Sequence, residues 1–76
     1  MYRLPNVTCD EAIQAFNKAG FIEVRRHSSH RILKKTGHKY LLSVPDHGSS
    51  PLKPGTLRQL IRASDLTIEQ FVALLR

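Results

Sequence analysis

The fold is decided by residues 21–44, FIEVRRHSSHRILKKTGHKYLLSV. Apolar and polar residues alternate in parts of this stretch, and the pattern predicts three strands, over 21–26, 30–35 and 38–44. Ser28-Ser29 and Thr36-Gly37 separate these segments and are typical of tight turns. Short strands joined by tight turns predict an antiparallel meander.

Strand alternation also predicts which residues share a face of the sheet. In the first strand we expect Ile22 and Val24 on one face and Glu23 and Arg25 on the other. In the third strand, one face is expected to hold Tyr40, Leu42 and Val44. The register between strands decides whether their charged residues meet, because a shift of one residue moves every side chain to the opposite face.

A helix is predicted before the meander. Thr8 followed by Glu11 fits a capping box at its start. Gly20 stands where a left-handed residue commonly ends a helix, so we expect the helix over 9–19. Apolar residues recur in it at helical spacing, at Ala12, Ala15, Phe16 and Ala19.

One or two helices are predicted after the meander. A loop over 45–54, rich in Pro, Gly and Ser, is long enough to line a site. Leu57, Leu60 and Ile61 then predict a short amphipathic helix, with Pro54 and Gly55 just before its N-terminus. Thr67 and Gln70 fit a second capping box at the start of a last helix.

Helices that precede and follow the three strands in the chain can cover only one face of the sheet. This order predicts an α+β fold of two layers, α-β-β-β-α(α), with the helices on one face. The chain has 76 residues, so we expect residues 1–76 to form a single domain with a small core. Its hydrophobic fraction of 41% is ordinary for a globular protein and too high for a disordered one.

Composition excludes several classes of protein. Cys9 is the only cysteine, so an internal disulfide and a metal site of several thiolates are both excluded. The N-terminal residues lack the apolar segment of a signal peptide, and no apolar run nears the ~20 residues that span a bilayer. We therefore expect a cytoplasmic protein that does not contact a membrane.

Positive charge is concentrated in the middle of the chain. The net charge is +6, which favours a polyanionic or acidic partner, and no acidic residue occurs between Glu23 and Asp46. Six cations lie between them: Arg25, Arg26, Arg31, Lys34, Lys35 and Lys39. They form a phosphate-binding surface if several project from one face, and are otherwise solvated edge charges.

All four histidines fall in or beside the same stretch, at His27, His30, His38 and His47. His30 begins the second predicted strand. A neutral imidazole there can act as general base on a ribose 2′-hydroxyl, or as acid toward the leaving 5′-oxygen. The alternative is an exposed histidine at a strand end with no role.

The other histidines are weaker candidates. The end of the third strand should lie near the start of the second, so we expect His47 near His30, either assisting proton transfer or packing locally. Asp46 is a candidate to orient an imidazole. His27 and His38 are expected to be surface histidines. The spacing of the four histidines matches no known pattern of metal ligands, so we expect no metal and no other cofactor.

A second set of cations surrounds the helix that follows the loop, at Lys53, Arg58 and Arg62. Free amides at a helix start can receive a phosphate, although many helix starts have this composition. The strands carry no series of spaced aromatic residues of the kind that stacks single-stranded bases. If RNA is the ligand, its backbone and shape should dominate recognition.

Several segments resemble a known family. They are KAGF at 18–21, RRHSSH at 25–30, VP at 44–45 with His47, LKPGTL at 52–57 and LTIEQF at 66–71. These segments keep their order and spacing over nearly the whole chain. On them the chain resembles the HicA (YcfA-like) mRNA interferase toxins.

This resemblance implies a fold like that of a double-stranded-RNA-binding domain. It also implies a small ribonuclease that cleaves mRNA without the ribosome and a HicB-type antitoxin that covers its site. The family's catalytic histidine follows a Gly-Ser pair, and the matching residue here is His30; His47 matches another recurrent family position. Ser28 replaces the family's glycine, so a positive φ at this position would strain Ser28.

The main hypothesis is therefore the toxin of a toxin–antitoxin system, a metal-independent endoribonuclease with His30 as its catalytic residue and His47 as a candidate assistant. The residues predicted to bind RNA are Arg25, Arg26, Arg31, Lys34, Lys35, Lys39, Lys53 and Arg58. The first alternative is a non-catalytic RNA-binding module that uses the same surface. The second is an adaptor whose positive face docks an acidic protein.

Overall fold

A computed structural model describes residues 4–76 of the chain. Its helices and strands are α1 (Cys9–Lys18), β1 (Ile22–His27), β2 (His30–Lys34), β3 (Leu42–Pro45), α2 (Pro54–Ala63) and α3 (Ile68–Leu74). The strands form one antiparallel sheet of order β1-β2-β3. The predicted order of elements is confirmed, and with it the α+β fold of the double-stranded-RNA-binding-domain type. Within the described residues, no helix is long and apolar enough to cross a membrane.

Helices α1 and α2 pack on one face of the sheet, and α3 packs on these two helices. Leu33 of β2 and Leu42 and Val44 of β3 are fully buried on that face. Phe16 of α1 and Phe71 of α3 are also fully buried, and their rings meet with centroids 5.1 Å apart. This face is called the inner face below, and the opposite face of the sheet is called the outer face.

Both predicted capping boxes are present. At the start of α1, the Glu11 N–H donates to Thr8 Oγ1 (3.2 Å), and Glu11 Oε1 accepts from the Thr8 N–H (2.9 Å). The same reciprocal pair begins α3 at Thr67 and Gln70. These local bonds satisfy amides that a helix start leaves free, which is why each helix begins where the sequence predicts.

The prediction for the faces of β1 is wrong in one respect. The register shifts between Glu23 and Arg25, so Glu23 lies opposite Leu33 and Arg25 lies opposite Ile32. Cross-strand partners share a face, which puts Glu23 on the inner face and Arg25 on the outer face. The prediction that Glu23 and Arg25 share a face is wrong because a β-bulge at Val24 adds one residue to the strand.

The third strand is shorter than predicted. It begins at Leu42, so residues 38–41 belong to the connection and Tyr40 does not share a strand face with Leu42 and Val44. Thr36-Gly37 forms a turn, in which the His38 N–H donates to the Lys35 carbonyl (3.0 Å), but it does not join two strands directly.

His38 is not a surface histidine. Its side chain is only 9% exposed. Its Nε2 donates to the carbonyl of Ala63 in α2 (2.7 Å), and its ring meets the Phe21 ring edge-on at 5.0 Å. The prediction failed because the β2–β3 connection turns back against α2, which a strand assignment over 38–44 does not allow.

Candidate functional site at the His30 hairpin

The turn between β1 and β2 places two histidines side by side. His27 and His30 are Cα partners across a two-residue turn, and both are exposed. Alternation along β2 puts His30 on the same face as Ile32 and Lys34, which is the outer face. His30 is therefore an accessible imidazole at the rim of the sheet, as its predicted role requires.

Ser28 occupies the left-handed region at the first position of this turn. Its φ is +58°, and Ser29 does not share the positive φ. In two-residue hairpin turns, a positive φ at the first central position favours glycine. A serine at this φ carries backbone strain, so the hairpin that holds His30 depends on support from outside the turn.

Asp46 supplies that support. Its N–H donates to the carbonyl of Ser29 (2.7 Å), and its Oδ2 accepts from Arg26 Nη2 (2.9 Å). Its Oδ1 accepts from the Gly48 N–H (3.0 Å), the contact that lowers the pKa of Asp46 most. The charges of Arg26 and Arg31 lower the pKa further, against an opposing effect of burial. Asp46 thus bonds both β1 and the turn before His30.

The suggestion that Asp46 orients an imidazole is not supported by these contacts. Its carboxylate oxygens meet guanidinium groups and a backbone N–H, and no histidine bonds to them within residues 4–76. Asp46 acts on His30 through the backbone of the turn. It is a positioning residue for the hairpin.

On the inner face, Arg31 is surrounded by carboxylates. Its Nη2 and Nε donate to Glu23 Oε1 (2.7 and 3.0 Å), and its Nη1 donates to Asp10 Oδ1 (2.6 Å). Asp46 Oδ2 lies 3.9 Å from the same Nη1. The hydrogen bonds to Glu23 are the main cause that raises the pKa of Arg31. The Arg31 side chain therefore links β2 to α1, to β1 and to the loop after β3.

Cys9 lies beneath this cluster and is buried in the core. Burial is the main cause that raises the pKa of its thiol, and the charge of Asp46 raises it further. A neutral buried thiol is a poor nucleophile. Cys9 therefore fills a small space in the core.

The six central cations are divided by the structure into three groups. Arg26 and Arg31 are paired with carboxylates near the inner face. The Lys35 ammonium lies 5.7 Å from the ring centroid of Phe21, and the Lys39 ammonium lies 5.6 Å from that of Tyr40. The third group lies on the outer face beside His27 and His30 and consists of Arg25 and Lys34.

Arg25 and Lys34 are exposed, and no carboxylate pairs with either of them in the part of the chain that the structure describes. Exposed Ile22 is the Cα partner of Lys34, and Ile32 is that of Arg25. The outer face therefore joins the exposed side chain of Ile22 to two cations that have no carboxylate partner within residues 4–76. Such a surface suits a polyanion that also carries apolar groups.

His47 lies two residues beyond Pro45, the Cα partner of His30. It is exposed and lines a cavity of about 390 Å³ together with Lys53, Ser50 and Thr56. Arg58 is exposed on α2. The register confirms that the end of β3 lies beside the start of β2, and the assisting role of His47 stays a prediction.

Within residues 4–76, no three His, Cys, Asp or Glu side chains are grouped as metal ligands would be. A family model described as the HicA toxin of bacterial toxin–antitoxin systems matches residues 9–66, which is most of the chain. The chain belongs to the HicA toxin family. No curated protein matches it. The family assignment confirms the resemblance seen in the sequence.

Two features of this HicA-family site were missed by sequence reasoning. The first is the pairing of Arg26 and Arg31 with Asp10, Glu23 and Asp46. The stretch of sequence without acidic residues concealed it, because the carboxylates come from outside that stretch. The second is the support that Asp46 gives the hairpin, whose only sequence signal is an Asp two residues before Gly48, a common turn pattern.

Proposed function

We propose that this HicA-family toxin is a metal-independent endoribonuclease that cleaves mRNA in the cytoplasm, with His30 as its catalytic residue. The observation that carries the proposal is the placement of His30. It is exposed at the sheet rim, beside His27 and on the face that holds Arg25 and Lys34, which pair with no carboxylate among residues 4–76. Carboxylates compensate the inner-face cations, so the outer face is the one left to attract an RNA backbone.

In this mechanism, His30 removes the proton from a ribose 2′-hydroxyl, and the 2′-oxygen attacks the adjacent phosphorus. The bond from phosphorus to the 5′-oxygen breaks, and that oxygen takes a proton from water or a second imidazole. The products are a 2′,3′-cyclic phosphate and a 5′-hydroxyl. His27, opposite His30, and His47, beyond Pro45, are the candidates for the second imidazole.

General acid–base help of this kind is worth ~10²–10⁴-fold in rate. A modest rate suits a regulatory toxin. The outer-face cations bind the chain, and Asp46 holds the turn from which His30 projects. Each role belongs to a different element, so each can be removed separately.

We also propose that a HicB-type antitoxin inhibits the enzyme by covering the His30 rim. Acidic residues of such a partner would meet Arg25 and Lys34, which lack carboxylate partners within residues 4–76. Arg31 already contacts Glu23 and Asp10 and is not proposed to meet the inhibitor. Occlusion predicts that the purified complex does not cleave RNA until the antitoxin is removed.

The test compares His30→Ala with His27→Ala, because the two residues are exposed partners on one face. Pure protein is incubated with end-labelled RNA, with and without EDTA, and the product ends are identified. We expect His30→Ala to lower the cleavage rate ~10²–10⁴-fold, with its melting temperature and RNA affinity unchanged. We expect His27→Ala to keep more activity than His30→Ala.

Full activity in His30→Ala would remove this residue from the mechanism. Loss of wild-type cleavage in EDTA would indicate a metal enzyme. RNA binding without any cleavage by the wild type would support the alternative, a non-catalytic RNA-binding module.

A further inference from the structure

A second cavity lies beyond the other end of β2 from His30. It has a volume of about 320 Å³ and is lined by Tyr40 from the β2–β3 connection and by Gln59, Arg62 and Ala63 from α2. The cavity shares no residue with the His30 hairpin. Its volume is within the range of small-ligand sites.

His38 holds the two walls of this cavity together. Its Nε2 donates to the carbonyl of Ala63 on one wall (2.7 Å). Its ring contacts Tyr40 on the other wall edge-on, with centroids 6.3 Å apart. A buried side chain that bonds one wall and packs on the other fixes the opening between them. The cavity is therefore formed before any ligand arrives.

The groups around the cavity match the parts of a nucleotide. Tyr40 is 54% exposed, so its ring is available for stacking. The ammonium of Lys39 lies 5.6 Å from the centroid of that ring. Arg62 supplies a second cation, and the amide of Gln59 can both donate to and accept from a base edge. In the described part of the chain, no carboxylate pairs with either cation.

We propose that this cavity binds one unpaired nucleotide of the RNA that is cleaved at His30. The base stacks on Tyr40 and meets Gln59, while the neighbouring phosphates meet Arg62 and Lys39. An RNA strand is favoured over an acidic protein segment because a half-exposed aromatic ring and an amide lie beside the two cations Arg62 and Lys39. Stacking on aromatic rings is a common way to hold single-stranded bases.

Strand β2 and the connection after it separate the two sites along the chain. β2 runs from His30 to Lys34, which at ~3.3 Å per residue covers about 13 Å, and the connection then leads to Tyr40. The exposed side chain of Leu41 lies next to Tyr40 in this connection. The nucleotide in the cavity therefore lies several residues of RNA away from the cleaved bond. Recognition then includes a base contact, in addition to the backbone and shape contacts expected from the sequence.

The proposal rests on the proposed ribonuclease function, and its test does not need cleavage. Binding of a fluorescent single-stranded RNA is measured for proteins that carry His30→Ala. Tyr40→Ala is compared with Tyr40→Phe, which keeps the ring, and with Leu41→Ala, a neighbour of similar exposure. A blunt RNA duplex serves as a second ligand, because its bases cannot leave the helix to stack.

We expect Tyr40→Ala to weaken single-stranded RNA binding at least fivefold and about tenfold in the typical case, since stacking is worth about 1–3 kcal/mol per base. Tyr40→Phe and Leu41→Ala should change affinity less than twofold. Duplex affinity should be the same for all the variants. In the active protein, Tyr40→Ala should raise KM while leaving kcat nearly unchanged.

Three results would overturn the proposal. One is unchanged single-stranded RNA affinity in Tyr40→Ala. Another is equal weakening by Tyr40→Phe, which would assign the effect to the hydroxyl and not to stacking. The third is loss of antitoxin binding with RNA binding intact, which would assign the cavity to a protein interface. Failure of the wild type to cleave RNA would contradict the proposed function and leave this binding test valid.

Discussion

Alternate residues of β2 meet two different environments. Arg31, on the inner face, donates to Glu23 and Asp10 and lies within 4 Å of Asp46. His30 and Lys34, on the outer face, are exposed and have no carboxylate partner within residues 4–76. One strand of five residues thus carries both the charged network that holds the elements together and the groups available to a ligand.

The difference shows that residue type alone does not assign a cation to RNA binding. The inner-face guanidinium groups of Arg26 and Arg31 are held by carboxylates. An RNA phosphate would have to compete with those contacts. Arg25 and Lys34 lose only their hydration when a phosphate binds. We therefore expect the inner-face cations to affect stability and the outer-face cations to affect RNA affinity.

The largest effect is expected on the inner face. Arg31→Met keeps an unbranched apolar stem and removes the guanidinium, leaving three carboxylates close together without their central cation. The free energy of unfolding should fall by about 2 kcal/mol, less than for a fully buried pair because the network is partly exposed. Urea denaturation of the two proteins at neutral pH measures the difference.

Lys34→Met is the matched change on the outer face. Within residues 4–76, no carboxylate pairs with the Lys34 side chain. Removing its charge should therefore change the free energy of unfolding of the protein by less than about 0.5 kcal/mol. Equal destabilisation by the two substitutions would show that the faces do not differ in the way the contacts indicate.

The next effect concerns RNA affinity. Replacing Arg25 and Lys34 together by Ala should weaken RNA binding about tenfold, from about 0.7 kcal/mol for each exposed cation. The salt dependence should decrease as well, with the slope of log K against log salt smaller by about 1.4 for single-stranded RNA. Titrations at several salt concentrations measure both quantities.

Lys18→Ala is the control for this titration, because Lys18 is an exposed cation at the end of α1 and not on the sheet. An unchanged slope in the double variant would remove the outer face from RNA binding. The RNA-binding role predicted for Arg26 and Arg31 stays a prediction, and single Ala variants in the same titration test it.

A smaller effect is expected at the turn. Ser28→Gly removes the strain of a serine at φ +58° and adds the chain entropy of glycine in the unfolded state. The relief of strain should outweigh this entropy and stabilise the protein by about 0.5–1 kcal/mol, which a higher melting temperature would show. Ser29→Gly gives no relief of strain, because Ser29 does not have a positive φ, and should be neutral or destabilising. The opposite ranking would contradict the turn geometry.

Local signals in the sequence predicted much of the fold. The capping boxes at Thr8 and Thr67 and the left-handed Gly20 (φ +103°) act within one turn of chain, so the helix ends could be read directly. The hairpin that presents His30 is equally local. The position of His30 on an accessible rim followed from it, together with the family resemblance.

The rest depends on contacts between distant parts of the chain. The sequence around Val24 does not predict the bulge that places Glu23 on the inner face, because a bulge is defined by the pairing with the partner strand. The sequence around His38 indicates a turn, and the burial of His38 depends on its contact with α2. The pairing of Arg31 with Asp10 needs α1 to lie across the sheet. Alternation alone could not supply the register on which all three depend.

The smallest effect tests the support that Asp46 gives the hairpin. Its folded pKa lies below the ordinary value of 3.8, so the carboxylate contributes stability that is present above that pH and lost as the pH falls further. Asp46→Asn keeps the N–H that bonds Ser29 but cannot carry the charge. The difference in the free energy of unfolding between wild type and Asp46→Asn should therefore be larger at pH 7 than at pH 3. A gap that does not change with pH would show that the charge of Asp46 does not hold the turn, and the backbone bond to Ser29 would then be its whole contribution to placing His30.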